Sequence, residues 1–192
     1  MNEKLFYSTK DLVVTEIDKT LSNVSYNETE KFIKLLLKSN KVFVIGAGRV
    51  MLMAQAFAKR IAHLGIKTYV VGETTNPSAN NKDLLIACSS SGETVSVVTI
   101  AKVAKKNNLK IATITARENS TLAKLSNLYV KISAPTKLRF ESKEADGPES
   151  KQPLGNLFEQ SLLLFFDIIA IMIIKEKGIS EDKMWKSHAN LE

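Results

Sequence analysis

The stretch IACSSSGETVSVV, residues 86–98, decides the fold. An apolar run fit for a buried strand ends in three serines. Gly-Glu-Thr follows, and apolar residues then resume at helical spacing. A strand that stops at small polar residues and re-enters as a helix is one half of a βαβ unit. The loop between the two halves stacks hydroxyls and a glycine at a helix start. Free backbone N–H groups and the helix dipole favour an anion at such a place. Ser89, Ser90, Ser91 and Thr94 add hydroxyl donors, and Gly92 permits a positive φ or a close backbone approach. The pattern is that of a phosphate cradle. A plainer reading has Ser91 or Thr94 capping the next helix.

Working outward, four more runs resemble residues 83–90: KVFVIGAG (41–48), KTYVVGE (67–73), KIATITA (110–116) and LYVKIS (128–133). Helix-compatible stretches separate them at 50–65, 94–108 and 119–126. Strands alternating with helices predict a parallel sheet covered on both faces, with right-handed crossovers. The fold class expected is α/β: a three-layer αβα sandwich, flavodoxin- or Rossmann-like, with five parallel strands. Two more helices are expected ahead of it, over 2–24 and 27–39, with Asn27 and Glu30 as the cap pair of the second. Residues 134–155 carry three prolines and two glycines and read as a long loop. The chain is expected to be one domain over 1–192. Its core spans about 28–176, with an N-terminal helix (1–25) and a C-terminal tail (177–192) as extensions.

LLLFFDIIAIMII, 162–174, is shorter than the roughly 20 apolar residues a membrane-spanning helix needs, and Asp167 interrupts it. It reads as a core helix, running from about Leu157 to Lys175, that also packs against another subunit. The single cysteine, Cys88, excludes an internal disulfide and suits a reducing, cytoplasmic setting as a small core residue. The net charge of +7 favours anionic metabolites. The lysines of KVAKKNNLK (102–110) fall on a helical pattern and read as a solvated face. No basic run is interleaved with aromatics, so neither nucleic acid nor membrane is expected as a partner. Two histidines and one cysteine without ligand spacing predict no metal site.

In an open parallel sheet ligands bind beyond the carboxyl ends of the strands. A second unusual loop, GAGR (46–49), follows the first strand and offers Gly48 and Arg49. A dinucleotide fingerprint would need a small residue where Met51 stands, so GAGR with Glu73 makes only a weak case for one. Glu93 reads as the opening of its helix, and His63 as a helix-end residue before Gly65.

VIGAGR (44–49), AFAKRIAHLGIKTYVVGETTNP (56–77), DLLIACSSSGET (83–94), QPLGNLFEQ (152–160) and the final HANLE together resemble the 6-phospho-3-hexuloisomerases of the sugar isomerase (SIS) domain family. The resemblance implies interconversion of D-arabino-hex-3-ulose 6-phosphate and fructose 6-phosphate through a cis-enediol, with no cofactor. It implies a homotetramer working with a hexulose-phosphate synthase in the ribulose monophosphate pathway of formaldehyde fixation. It implies that Ser89, Ser91 and Thr94 hold the sugar phosphate with Gly92 making room, that Glu159 is the base and that His188 is the candidate acid, for opening the furanose ring or for shuttling protons between oxygens. A non-catalytic regulatory SIS module and an aldose–ketose isomerase are the alternatives. In one place the chain departs from the family: Val50-Met51 stands where a Ser-Gly pair is usual.

Overall fold

The computed structural model describes residues 2–136, 149–188 and 190. Two helices, α1 (Glu3–Ser22) and α2 (Tyr26–Lys38), lead into β1 (Val42–Ile45), α3 (Arg49–His63), β2 (Thr68–Val70) and β3 (Leu84–Cys88). Then come α4 (Val95–Lys106), β4 (Lys110–Thr115), α5 (Thr121–Leu125) and β5 (Leu128–Lys131). After the long connection lie α6 (Asn156–Lys177) and the short α7 (Glu181–Lys186). The five strands are parallel in the order β2-β1-β3-β4-β5. The expected three-layer sandwich is the observed fold.

Side chains alternate across a strand, and this sorts the core into two clusters. Val42, Val44, Leu84, Ile86, Ile114 and Val130 point to one face and meet α2, α3 and α6. Phe43, Ile45, Leu85, Ala87 and Ile111 point to the other and meet α4 and α5. Both faces are covered, which is why the central strands read as continuous apolar runs rather than alternating ones. The edge strand β2 is only half-buried and three residues long.

The expected apolar helix is α6, and half of its most apolar window is buried in the protein. Phe158, Leu162, Phe165, Phe166, Ile169 and Ile173 face the core. Phe166 stacks on Phe57 of α3 with ring centroids 4.0 Å apart, and Phe32 of α2 joins them. Each such side chain contributes about 1.5–3 kcal/mol by leaving water. Gly178, left-handed at φ 59, ends the helix.

Two local expectations are corrected. Helix α2 is capped by Ser25, whose side chain accepts from the Glu28 N–H, and not by Asn27, which lies inside the helix. Glu93 lies ahead of α4, and its carboxylate accepts from Thr121 N at 2.7 Å, at the start of α5. A serine immediately before the aromatic start of α2 outcompetes an asparagine already committed to helical dihedrals. Of the long loop, 137–148 lie outside the described residues.

Candidate active site

The chain runs from β1 outward to β2, then returns past β1 to β3. The loops after β1 and β3 therefore diverge to opposite sides and leave a crevice, the position where open α/β sheets bind ligands. A cavity of about 350 Å³ lies there. Ala47 to Val50 from the first loop, Cys88 to Ser91 and Thr94 from the second, and Leu154, Gly155 and Glu159 from the start of α6 line it.

In the first loop the glycines have separate duties. A Cβ on Gly46 would stand 2.9 Å from Met51 N, so this glycine lets the helix backbone lie against the strand end. Gly48 has φ 55 and serves as the N-cap of α3. Met51 is thus absent from the cavity wall, and the departure from Ser-Gly is felt at Val50, which makes one wall apolar.

The serine loop is tied down internally. Ser89 is buried, and its hydroxyl accepts from Gly92 N at 3.1 Å and shares a 2.9 Å hydrogen bond with Thr94 Oγ1. Ser91 Oγ accepts from Glu93 N at 3.2 Å. Ser90 O takes Ala116 N at 3.0 Å and Thr115 Oγ1 at 3.2 Å, which fastens the loop to the end of β4. Gly92, at φ 66, does not border the cavity. A side chain there would overlap Ser120, the cap of α5. The room Gly92 makes is for Ser120.

The plainer reading holds for position only: Thr94 is the N-cap of α4, but its side chain makes no capping hydrogen bond. The same is true of Gly48 ahead of α3 and Gly155 ahead of α6. The other described helices are each capped by a side chain: Asn2, Ser25, Ser120 and Ser180. The three helix starts without a side-chain cap are the three that border this cavity. Their orphan N–H groups and dipoles converge on one space, which suits a ligand with more than one anionic or partly anionic oxygen.

Glu159 stands in the first turn of α6, its side chain only 15% exposed. Arg49 Nη1 lies 3.1 Å from Glu159 Oε2. The approach is charge on charge rather than an aligned hydrogen bond, so this buried oxygen keeps hydrogen-bonding capacity. Arg49 is 59% exposed and can swing toward an entering anion. The site therefore unites a carboxylate, an exposed cation, hydroxyls and orphan amides.

His188 borders a different cavity, of about 440 Å³, with Lys59, Arg60, His63, Glu181, Met184 and Trp185. Its ring stacks on His63 at 5.2 Å between centroids. His63, expected at a helix end, does close α3, and it also pairs with the tail. Cys88 is fully buried, and burial pushes its thiol up, out of reach of thiolate chemistry. Sequence reasoning missed Leu154, a non-glycine residue at φ 51 on the cavity rim. The Gly155 beside it, just ahead of an apolar helix, was the available signal.

Fold and site together define a parallel α/β domain with a polar crevice at its switch point. The SIS domain matches residues 35–142, and the chain belongs to that family. Within it, the chain is similar to curated 3-hexulose-6-phosphate isomerases. That of Bacillus subtilis is 34% identical, with 94% of this chain and 95% of the relative covered. That of Methylomonas aminofaciens is 31% identical, with 95% and 98% covered. A crystal structure from Methanococcus jannaschii, from which 3-hexulose-6-phosphate isomerase function was inferred, superposes with a TM-score of 0.82. It is 33% identical, with 96% of this chain and 99% of the other covered.

Proposed function

We propose that the chain isomerises D-arabino-hex-3-ulose 6-phosphate to fructose 6-phosphate, with Glu159 as the base. The observation that carries the assignment of roles is the cavity that holds Glu159, Arg49 and the serine loop against three helix starts without side-chain caps. It is supported by similarity to the isomerases over nearly the whole chain.

The chemistry sets the requirements. A C3 carbonyl acidifies the hydrogens on both C2 and C4, so the base must be held at C2 and away from C4. The phosphate on O6 is the handle for that choice. Ser90, Ser91, Thr94 and the first amides of α4 take the phosphate, and Ser89 and Gly92 keep their loop in shape. Glu159 removes the C2 proton, and negative charge develops on O3. Arg49 and the start of α3 at Gly48 stabilise that oxygen as the enediolate forms. Glu159 returns its proton to C3, the O2 proton passes to O3, and the carbonyl appears at C2. Atoms and electrons balance within the sugar, so no redox partner is needed.

Because O6 is esterified, the 3-ulose cannot close a five-membered ring through it. Fructose 6-phosphate can close one through O5. An acid for ring opening, the role considered for His188, is thus needed only when fructose 6-phosphate is the substrate. The working protein is a cytoplasmic homotetramer fed by a hexulose-phosphate synthase.

The test is a coupled assay in which a synthase generates the 3-hexulose 6-phosphate in place and fructose 6-phosphate formation is followed. Fructose 6-phosphate should appear in proportion to this protein. No product above the uncatalysed rate, with the synthase step verified, overturns the assignment.

A further inference from the structure

A second network, starting outside the cavity, ends at its rim. Glu16 on α1 accepts hydrogen bonds from three consecutive residues ahead of α6. Ser150 Oγ donates to Oε2 at 2.6 Å, Lys151 N to Oε1 at 2.9 Å and Gln152 Nε2 to Oε2 at 3.1 Å. Ser150 Oγ in turn accepts from Gln152 N at 3.0 Å. Gln152 is buried, and its Oε1 accepts from Asn156 Nδ2, in the first residue of α6, at 2.9 Å. Asn156 N closes the turn on Pro153 O at 3.1 Å.

Leu154 and Gly155 lie inside this closed turn. Leu154 sits in the left-handed region at φ 51, yet the residue is 78% exposed. Neither its own preference nor burial holds it there. A non-glycine residue persists in that conformation only when its surroundings over-determine it. The surroundings here are the Glu16 hydrogen bonds and the Gln152–Asn156 pair. The corner matters because Gly155 O receives Glu159 N at 3.1 Å and a Cβ on Gly155 would stand 3.6 Å from Glu159 Oε1. Burial pushes the Glu16 carboxyl up, but the hydrogen bonds from Lys151, Ser150 and Gln152, with the Lys151 charge, outweigh it and hold it below its usual value. Ionised Glu16 is therefore the form that clamps.

We propose that Glu16 is a positioning residue for the isomerisation: by clamping residues 150–152 it fixes the Leu154–Gly155 corner, and with it the turn of α6 that carries Glu159. The inference rests on the reading of Glu159 as the base. Glu16 does not border the cavity and acts only through the turn.

The test is Glu16→Gln, with Glu16→Asp and Glu159→Gln alongside. Gln keeps the volume but turns one acceptor oxygen into a donor. Misplacing a reacting group by a fraction of an ångström should lower kcat by about tenfold or more. KM should stay within about threefold, because the phosphate loop after β3 is untouched. Glu16→Asp, which keeps both oxygens, should return part of the rate. In thermal unfolding, Glu16→Gln should cost less when Leu154 is replaced by Gly, which sits in the left-handed region without strain. Should Glu16→Gln fail to fold, Ser150→Ala removes the shortest of the three bonds and should show the same split to a smaller degree. If Glu159→Gln is inactive while Glu16→Gln (or, failing it, Ser150→Ala) keeps kcat within twofold of wild type, the positioning role is overturned and the base reading stands. A rise in KM with kcat unchanged overturns it equally. Near-normal turnover by Glu159→Gln overturns the base reading instead, and the unfolding measurement still reports whether the clamp exists.

Discussion

A carboxylate in the first turn of a helix normally complements the dipole and does nothing more. Glu159 differs in being largely buried, with one oxygen facing an exposed cationic neighbour. If it is the base, Glu159→Gln keeps shape and most polar contacts but cannot accept the C2 proton. Turnover should fall by a factor on the order of 10² or more. KM should change little, and exchange of the C2 hydrogen with solvent deuterium should vanish with turnover. Retained exchange would leave Glu159 as a helix-end carboxylate and nothing else. Gly92 makes the opposite case, a residue at the motif whose duty is structural. Gly92→Ala meets a positive φ and the Ser120 side chain at once. We expect a loss of about 3 kcal/mol, the sum of left-handed strain and overpacking, read as a lowered denaturant midpoint. A variant as stable as wild type would mean the loop relaxes freely.

At the scale of elements, α4 is the helix whose start should carry the phosphate. No side chain caps the first turn of α4, so its orphan amides are left to a ligand. Crystals soaked with fructose 6-phosphate should show phosphate density between Ser91, Thr94 and the first amides of α4. Phosphate density elsewhere, with this loop empty, would sink the assignment. The βα units, their order along the chain and the two loops at the crevice were legible in the sequence, because strand runs and glycine-serine loops are local signals. The division of labour inside the loop was not. That Gly92 serves Ser120, and that Glu93 serves α5, depends on residues about 28 positions away being brought alongside by the β4 pairing. The clamp from Glu16 to residues 150–152 was equally hidden, since no pattern within either segment announces a partner more than 130 residues distant.

For the whole molecule, two features point beyond a single copy. Leu164, Ile168 and Ile171 of α6 follow one another at helical spacing, all exposed, on a helix far too apolar for a water-facing role. Leu5, Phe6 and Val14 of α1 are exposed as well. These faces should be covered by further copies of the chain. Sedimentation equilibrium at micromolar protein should report a tetramer, and Ile168→Glu should shift it toward smaller species; a wild-type monomer would refute the assembly. The second feature is His188. The resemblance pairs it with Glu159 in one site, but in its own chain it borders the cavity of Lys59, Arg60 and His63. The short α7 and its link to α6 hold the histidine against the end of α3, while Glu159 faces the other end of that helix. If His188 takes part in catalysis, it must therefore serve a neighbouring copy. Co-expressing Glu159→Gln and His188→Ala subunits tests this. Each variant alone should be impaired, with His188→Ala affected more when fructose 6-phosphate is the substrate, since only that sugar needs its ring opened. In mixed oligomers, some sites combine Glu159 from one subunit with His188 from the other, so turnover should exceed the average of the two parents. Activity equal to that average would mean that His188 belongs to the α3–α7 cavity alone, and that protons move between the sugar oxygens without it.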